Sequence, residues 1–438
     1  MSIIISVILL LGALILGLCV PAAFGASFSL IALMEGQSFA SLIPTGYSKI
    51  NTIVLLAITL FILSGGIIER GKLGSALIDF VQIFVGKIPG GLGIVTVISS
   101  AIFGAISGSA AATLSCIGSI MYPKLEEDEY SKGFAASLIA NSSPLGLLIP
   151  PSCIQIMYAW VTGQSVLACF LATIIPGIIL ATLLCIVNVW ECKHNKAYMD
   201  HYALRLEAAV NEKEQITNGQ RFRHAVPALL MPVIVLGGIY AGVMTPTEAA
   251  AVAVIYSIPV GMFVYKGLTL KGLKDAFRDA GVTAAVVMLM MFMVMILSRL
   301  YVLLNLPNRM VTMMVSISDN KNVILLLVNI FMVIIGMLMD DNSGTLLCGP
   351  LLLPVVMAVG VSPVQFAAIL GVNLGMGTIT PPAAPLLYLG ARTAKVPVRD
   401  MLMPSLKIIA FCWIPTLILT TYIPQLSLFL PRLFGFNV

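Results

Sequence analysis

Charge is what this sequence has least of. Only 10% of its 438 residues are Asp, Glu, Lys or Arg, while 59% are hydrophobic. A soluble chain carries about 25% charged residues, so a large globular enzyme in water is excluded. Histidine is nearly as scarce: His194, His201 and His224 all lie in one polar stretch. That leaves no imidazole within the apolar runs to act as a metal ligand or proton relay, and with Cys192 nearby the three read as solvated loop residues. The eight cysteines have no C-x-x-C spacing, so neither a disulfide framework nor a thiol metal site is indicated. There is no G-x-x-x-x-G-K-[ST] loop to bind ATP and no basic patch implying nucleic acid. No polar loop is large enough to be a ligand-capturing domain. Ile3–Leu18 lacks a basic leader and a cleavage site, and reads as a retained first helix.

What is present in quantity is long apolar runs, several of them sufficient to cross a bilayer. Hydropathy predicts membrane helices near 3–20, 25–43, 51–68, 165–190, 225–244, 247–265, 280–303 and 404–430. Two further stretches, 75–160 and 306–393, are apolar but broken repeatedly by Gly, Pro, Ser and Asn. Unpaired backbone groups cost several kcal/mol each in hydrocarbon, so such breaks must line protein or a water-filled cavity.

The polar stretch 191–224 holds six Lys and Arg and is assigned to the cytoplasm by the positive-inside rule. Each broken stretch is read as one re-entrant hairpin, about 75–123 and about 306–359, followed by one interrupted helix, about 131–160 and about 363–393. On that reading all but five of the 24 basic residues (Lys49, Arg299, Arg309, Lys321 and Arg432) fall inside. Both termini then lie outside, and 1–190 and 225–438 insert with opposite orientations. The net charge of +5 thus reflects topology. The basic stretch from Lys266 to Arg278 reads as an amphipathic helix on the cytoplasmic surface, and Trp160 as packing.

A shift of 231 positions pairs Gly118 with Gly349, Pro123 with Pro354, Gly146 with Gly377, and Pro150-Pro151 with Pro381-Pro382. Weak repeats of opposite topology, interrupted at matching places, are the signature of a secondary transporter whose site lies at the breaks. The expected fold is therefore an all-α polytopic membrane protein built of two inverted-topology repeats, each with a re-entrant helical hairpin and an interrupted helix.

Each half supplies two breaks: Gly104–Thr113 and Ala140–Ser152, then Gly336–Thr345 and Val372–Pro385. The apolar arms beside Ser107-Gly108-Ser109 are about 12–15 residues, or about 18–22 Å of helix, enough to reach mid-bilayer without crossing. A tip there exposes carbonyls ending one half-helix and amides starting the next. Carbonyls and hydroxyls suit a small hard cation, and amides attract a carboxylate. Ser and Gly also serve as plain helix-packing residues in membranes, and four breaks in paired positions favour the site. Asp340 and Asp341 weigh on the same side, because a carboxylate at mid-membrane costs about 2.5–3.5 kcal/mol and is seldom retained without a partner or a task. An intramembrane hydrolase would need Lys124 or Lys132 beside a tip serine, and "YPKLEEDEYSKG" places both at a cytoplasmic loop. A channel needs no paired hairpins.

These residues resemble a known family. "GGIYAGVMTPTEAAAVAVIYSIPVG" (Gly237–Gly261), "FGAISGSAAAT", "GLLIPPS" and "NLGMGTITPPAAP" look like the large membrane (M, DctM-like) subunit of tripartite ATP-independent periplasmic (TRAP) transporters, in the same order over nearly the whole chain. The resemblance implies an elevator-type, Na⁺-driven importer of an organic anion, a C4-dicarboxylate, sialic acid or other sugar acid, in the bacterial inner membrane. It also implies three partners: a periplasmic substrate-binding protein, a separate small four-helix membrane subunit, and the lipid bilayer. Carried onto this chain, the hairpin tips are Ser107–Ser109 and Asp340–Ser343, and the unwound helices Asn141–Gly146 and Asn373–Thr380.

Two or more Na⁺ ions are expected on Ser107, Gly108, Ser109, Ser143 and Gly146 in the first half. In the second half their ligands are Asp340, Asn342, Ser343, Gly375, Gly377 and Thr378. Substrate is expected against Ser107, Ser109, Asn141, Ser142, Asp340, Asn373 and Thr380. Asp341-Asn342 departs from the more apolar continuation usual after the family's Met-Asp, which leaves the substrate class open. A stand-alone Na⁺/dicarboxylate carrier would have a similar sequence architecture.

Overall fold

The computed structural model describes residues 2–85, 88–211, 218–317 and 320–438. Every regular element among them is a helix. Seven helices are long and apolar enough to cross a membrane, and the bent pair Lys132–Leu148 and Cys153–Thr162, angled by 41°, makes an eighth when counted as one span. Positions 212–217 of the polar linker and 318–319 ahead of the second hairpin lie outside the described residues.

Several boundaries differ from the hydropathy reading, each for a local reason. The run 25–43 is two helices, Val20–Met34 and Phe39–Ile50, because Gly36 takes φ +63° between them. Left-handed backbone at a glycine ends a helix cheaply. The run 404–430 is likewise broken: Val398–Ile408 continues through a π-turn at Ile409–Trp413 into Ile414–Tyr422, and a new helix begins at Pro424. A proline lacks the amide needed to continue a helix but is suited to start one. The basic stretch 266–278 is not a separate surface helix. Its greater part, from Leu270, belongs to the 34-residue helix Leu270–Leu303, opened by Thr269, whose hydroxyl accepts from the Gly272 amide at 3.0 Å.

The two hairpins form the centre. Gly91–Ser107 and Ala110–Glu127 pack together around the Gly108 turn, and Lys321–Leu338 and Asp341–Ala358 pack together around Met339-Asp340. At 17 and 18 residues in the first and 18 and 18 in the second, the arms exceed the 12–15 residues expected. They still span only about 26 Å, short of a hydrocarbon core of about 30 Å. The interrupted helices are Lys132–Ser142, Leu145–Leu148 and Cys153–Thr162 in the first half, and Pro363–Gly377 and Pro385–Ala394 in the second. Pro150-Pro151 and Pro381-Pro382 are both cis.

The halves interlock by exchange. The outgoing arm Ala110–Glu127 packs on Pro385–Ala394, the second limb of the other half's interrupted helix, and Asp341–Ala358 packs on Cys153–Thr162. Gly118 faces Thr393 and Gly349 faces Tyr158 and Val161 at these crossings. Small residues let membrane helices approach closely, which is where their packing attraction is gained.

Within each half two glycines meet backbone to backbone. A β-carbon on Gly104 would fall 2.3 Å from the Gly146 Cα, and one on Gly377 would fall 2.6 Å from the Gly336 Cα. Both distances are impossible for real atoms, and the obstacle is backbone rather than a flexible side chain. Gly104→Ala is therefore expected to lower stability by about 1–3 kcal/mol, as overpacking does. Gly12→Ala, in a helix with open space around it, should be neutral or slightly stabilising. Thermal unfolding of the two variants in detergent checks this, and equal melting temperatures would refute it.

Candidate substrate and cation site

The first tip is made by three consecutive residues with distinct tasks. Gly108, at φ +62°, closes the incoming helix by donating its amide to the Gly104 carbonyl at 2.8 Å. A side chain there would be strained by the positive φ, and its β-carbon would crowd the Pro151 carbonyl oxygen at 3.1 Å. Ser109 opens the outgoing helix, its Oγ accepting from the Ala112 amide at 3.4 Å. The Thr113 hydroxyl donates to the Ser109 carbonyl at 2.8 Å and lies 3.3 Å from Ser107 Oγ. The tip is tied to the first interrupted helix by the Cys153 amide, which donates to the Gly108 carbonyl at 3.2 Å.

The second tip is the polar turn "MDDNSG", Met339–Gly344. Asp340 is an N-cap: its Oδ2 accepts from the amides of Asn342 at 3.1 Å and Ser343 at 3.3 Å, and its Oδ1 accepts from the Ser343 hydroxyl. Two orphan amides at a helix start are thereby satisfied, and the negative charge sits at the positive end of the helix dipole. Thr345 donates to the Asp341 carbonyl at 2.8 Å, repeating the Thr113–Ser109 bond 232 positions later. Gly336 stands to Gly104 at the same offset.

Both tips line one cavity of about 340 Å³, within the usual range for a small-molecule site. Ser107, Gly108 and Ser109 contribute from the first tip, Asp341 and Asn342 from the second. The facing wall comes from two long helices, Ile53–Arg70 and Leu270–Leu303, through Gly66, Glu69, Arg70, Asp279 and Thr283. Gly65 makes that proximity attainable, for a β-carbon there would stand 3.1 Å from Ser107 Cβ.

The remaining expected residues lie off the cavity wall. Asp340 is turned into its own helix, as described, with Ser343 beside it. Asn141 and Asn373 are fully buried, and each donates its Nδ2 to the carbonyl four residues back, Ser137 and Ile369, at 2.8 Å. Asn141 also reaches Ser405 Oγ at 3.0 Å, and Asn373 reaches Asn329 Oδ1 at 2.9 Å. In both, Oδ1 is buried without a partner. Ser142 bonds Ser100 Oγ at 3.2 Å, and Ser143 donates to Ala140 O at 2.9 Å. Thr378 and Thr380 donate to the Gly375 and Met376 carbonyls at 2.9 and 2.6 Å. Gly146 and Gly377 serve the backbone contacts already described, and Gly375 lies against Trp413.

The chemistry of these groups fits Na⁺. Hydroxyls, carbonyls, one capping carboxylate and two orphaned amide oxygens are oxygen donors of the kind a hard cation takes. An unpaired buried oxygen calls for a partner such as an ion. Among the described residues no group of three His, Cys, Asp or Glu could hold a metal. A Ser-Lys dyad is absent as well. Lys124 lies 15 residues from Ser109, about 22 Å along a helix, where it pairs with Asp79 at 3.7 Å, and Lys132 pairs with Glu126 at 2.9 Å.

Residues 3–426 match the family described as the tripartite ATP-independent periplasmic transporter, DctM component. The chain belongs to the DctM family of TRAP transporter permeases. It is 33% identical over 429 residues to the sialic acid TRAP transporter large permease protein SiaM of Vibrio cholerae, covering 97% of each chain. It is 32% identical over 407 residues to the C4-dicarboxylate TRAP transporter large permease protein DctM of Pseudomonas aeruginosa, covering 93% of each. The fold is shared with the YdaH transporter of Alcanivorax borkumensis, at a TM-score of 0.58 and 14% identity over 88% of this chain and 87% of that one. Family membership and the apolar helices make this DctM chain a multi-pass bacterial inner-membrane transporter permease rather than an enzyme.

Sequence reading missed Arg70, Asp279 and the threonine pair. Thr113 and Thr345 become visible at an offset of 232, one more than the offset that aligns the prolines. Arg70 ends an apolar run and reads as a topology anchor, with nothing local to pair it with Asp279.

Asparagine caps a helix as well as aspartate does, which separates the two tasks open to Asp340. Asp340→Asn should leave the melting temperature within about 1 °C of wild type yet abolish cation-driven uptake, whereas Asp340→Ala loses about 1 kcal/mol of capping as well. Full uptake by the Asn variant would reduce Asp340 to a cap.

Proposed function

We propose that this permease imports a small organic anion with Na⁺, receiving it from a periplasmic binding protein, with a small four-helix membrane subunit bracing the long helices. The observation that carries this reading is the single cavity shared by two hairpin tips from different halves of the chain. The tip at Ser107–Ser109 opens a helix with no acidic residue in its first turn, so its free amides present partial positive charge to a carboxylate. The second tip starts a helix beneath two aspartates and favours cations. Anion and cation thus have adjacent, differently charged places, as symport requires.

Coupling follows from mutual need. With Glu69, Asp279 and Asp341 on its wall against Arg70 alone, the cavity is richer in carboxylates than in cationic groups, and Na⁺ entering first would make it more favourable for an anion. The recurrence of Gly–Gly, Thr–carbonyl and Asn–carbonyl contacts in both halves supports two inverted repeats, and the exchange of arms supports their moving as one body, an elevator, against Ile53–Arg70 and Leu270–Leu303. At 33% and 32% identity to permeases named for sialic acid and for C4-dicarboxylates, sequence distance does not choose between these acids.

Proteoliposomes containing the chain and its small subunit test the proposal. Labelled succinate or N-acetylneuraminate should accumulate only with an inward Na⁺ gradient and the cognate binding protein. Uptake without binding protein would mark a stand-alone carrier, and uptake indifferent to Na⁺ would overturn the coupling.

A further inference from the structure

Arg70 is the only basic side chain among the described residues lining the cavity. Its Nη2 donates to Asp279 Oδ2 at 2.6 Å, joining the ends of two long helices, and its Nη1 donates to the Gly66 carbonyl at 3.3 Å. Those bonds use two of the five N–H donors a guanidinium carries in a fixed fork. Its side chain is 30% exposed and that of Asp279 47%, so both face the cavity's water rather than a sealed core.

Two further features suit exchange of partners. Asp279 Oδ1 also receives Arg278 Nε at 3.4 Å, so Asp279 keeps a positive neighbour if Arg70 turns away. Gly66, one turn before Arg70, borders the guanidinium without crowding it: even a β-carbon there would lie at an ordinary contact distance of 3.5 Å from Nη1. Gly65, which meets the first tip at Ser107, lies five residues before Arg70. That separation is about 7.5 Å along the helix, so one small molecule can touch both the tip amides and the guanidinium.

We propose that Arg70 is a specificity-determining residue that takes an anionic group of the substrate in exchange for Asp279, while the first hairpin tip holds the other end. The inference rests on the organic-anion reading above and narrows it to acids with a carboxylate and a second polar or anionic group about one helical turn away. Succinate and N-acetylneuraminate both meet this description. Asp279 is then a competitor: it neutralises Arg70 in the empty cavity and is handed to Arg278 when the acid arrives.

A structural brace and a recognition residue differ in what happens when each member of the pair is removed. If Arg70 recognises the acid, Arg70→Gln should raise the uptake KM at least tenfold, Arg70→Lys should restore part of that loss, and Asp279→Asn should lower KM by removing the competitor. If the pair is only a brace, Arg70→Gln and Asp279→Asn should impair uptake alike, through the maximal rate and with lower melting temperatures, and the proposal falls.

A measurement independent of turnover uses phenylglyoxal modification of the purified permease in Na⁺, read at Arg70 by peptide mass spectrometry. Labelling should be slowed several-fold by succinate or N-acetylneuraminate and not by succinamide, which lacks the charge. Protection by neither acid overturns the proposal. Na⁺-driven uptake with unchanged KM in Arg70→Gln would sink this inference and leave the transport function standing, whereas loss of Na⁺ dependence in the wild type would sink the transport function itself.

Discussion

A helix that stops inside an apolar slab leaves amides and carbonyls with no water to bond them. At each unsatisfied group costing several kcal/mol in hydrocarbon, the breaks in this chain exist only because each is answered locally. Gly104 answers Gly108, Ser109 answers Ala112, and Asp340 answers Asn342 and Ser343. After this local closure the polar tips themselves, Ser107–Ser109 and Asp341-Asn342, face one cavity. The site is thus the residue of a backbone problem: the same interruptions that would destabilise a plain span supply the polar groups that a bare apolar helix could not offer.

Those interruptions also fix how tightly the pieces must fit. A tip can be held at depth only if the neighbouring interrupted helix comes to backbone contact, and the Gly104–Gly146 and Gly336–Gly377 approaches provide this in both halves. Side chains of any size at these points would separate tip from break and strand the polar groups in hydrocarbon. Exchange of outgoing arms then brings the two tips to the same cavity without a loop crossing the centre. Packing and polarity therefore solve one problem together, and neither could be relaxed alone.

Much of this was legible in the sequence because glycine, proline, serine and asparagine punctuate apolar runs unambiguously. Ser107-Gly108-Ser109 and Asp340 mark real helix ends, and the paired breaks stand where the repeated glycines and prolines put them. What was not legible depends on tertiary pairing. Arg70 and Asp279 lie 209 residues apart, and each alone resembles an ordinary anchor at the end of a membrane helix. Asp341 looked like surplus beside Asp340, yet Asp341 lines the cavity while Asp340 caps its own helix. A helix turns by 100° per residue, so adjacent positions at a tip point differently, and one sequence cannot say which of two neighbours looks inward. The split of 25–43 into two helices was missed for a simpler reason, that hydropathy averages over a single glycine.

The wall opposite the tips completes the electrostatic argument. Carboxylates outnumber the one guanidinium on the cavity wall, so in the proposed symport a bound cation would ease the entry of an anion, while the first tip offers amides rather than ligands to a cation. Each ligand makes the other's place more favourable, which is a coupling free energy between two sites and is reciprocal by thermodynamic necessity. Arg70 sets the sign of that balance. Paired with Asp279 its charge is matched; released from Asp279, as proposed, it would offer a forked donor to an acid. A single side chain with two partners of like charge can therefore link occupancy to the long helices that carry it, so that the same exchange which admits the anion also alters the contact between Ile53–Arg70 and Leu270–Leu303.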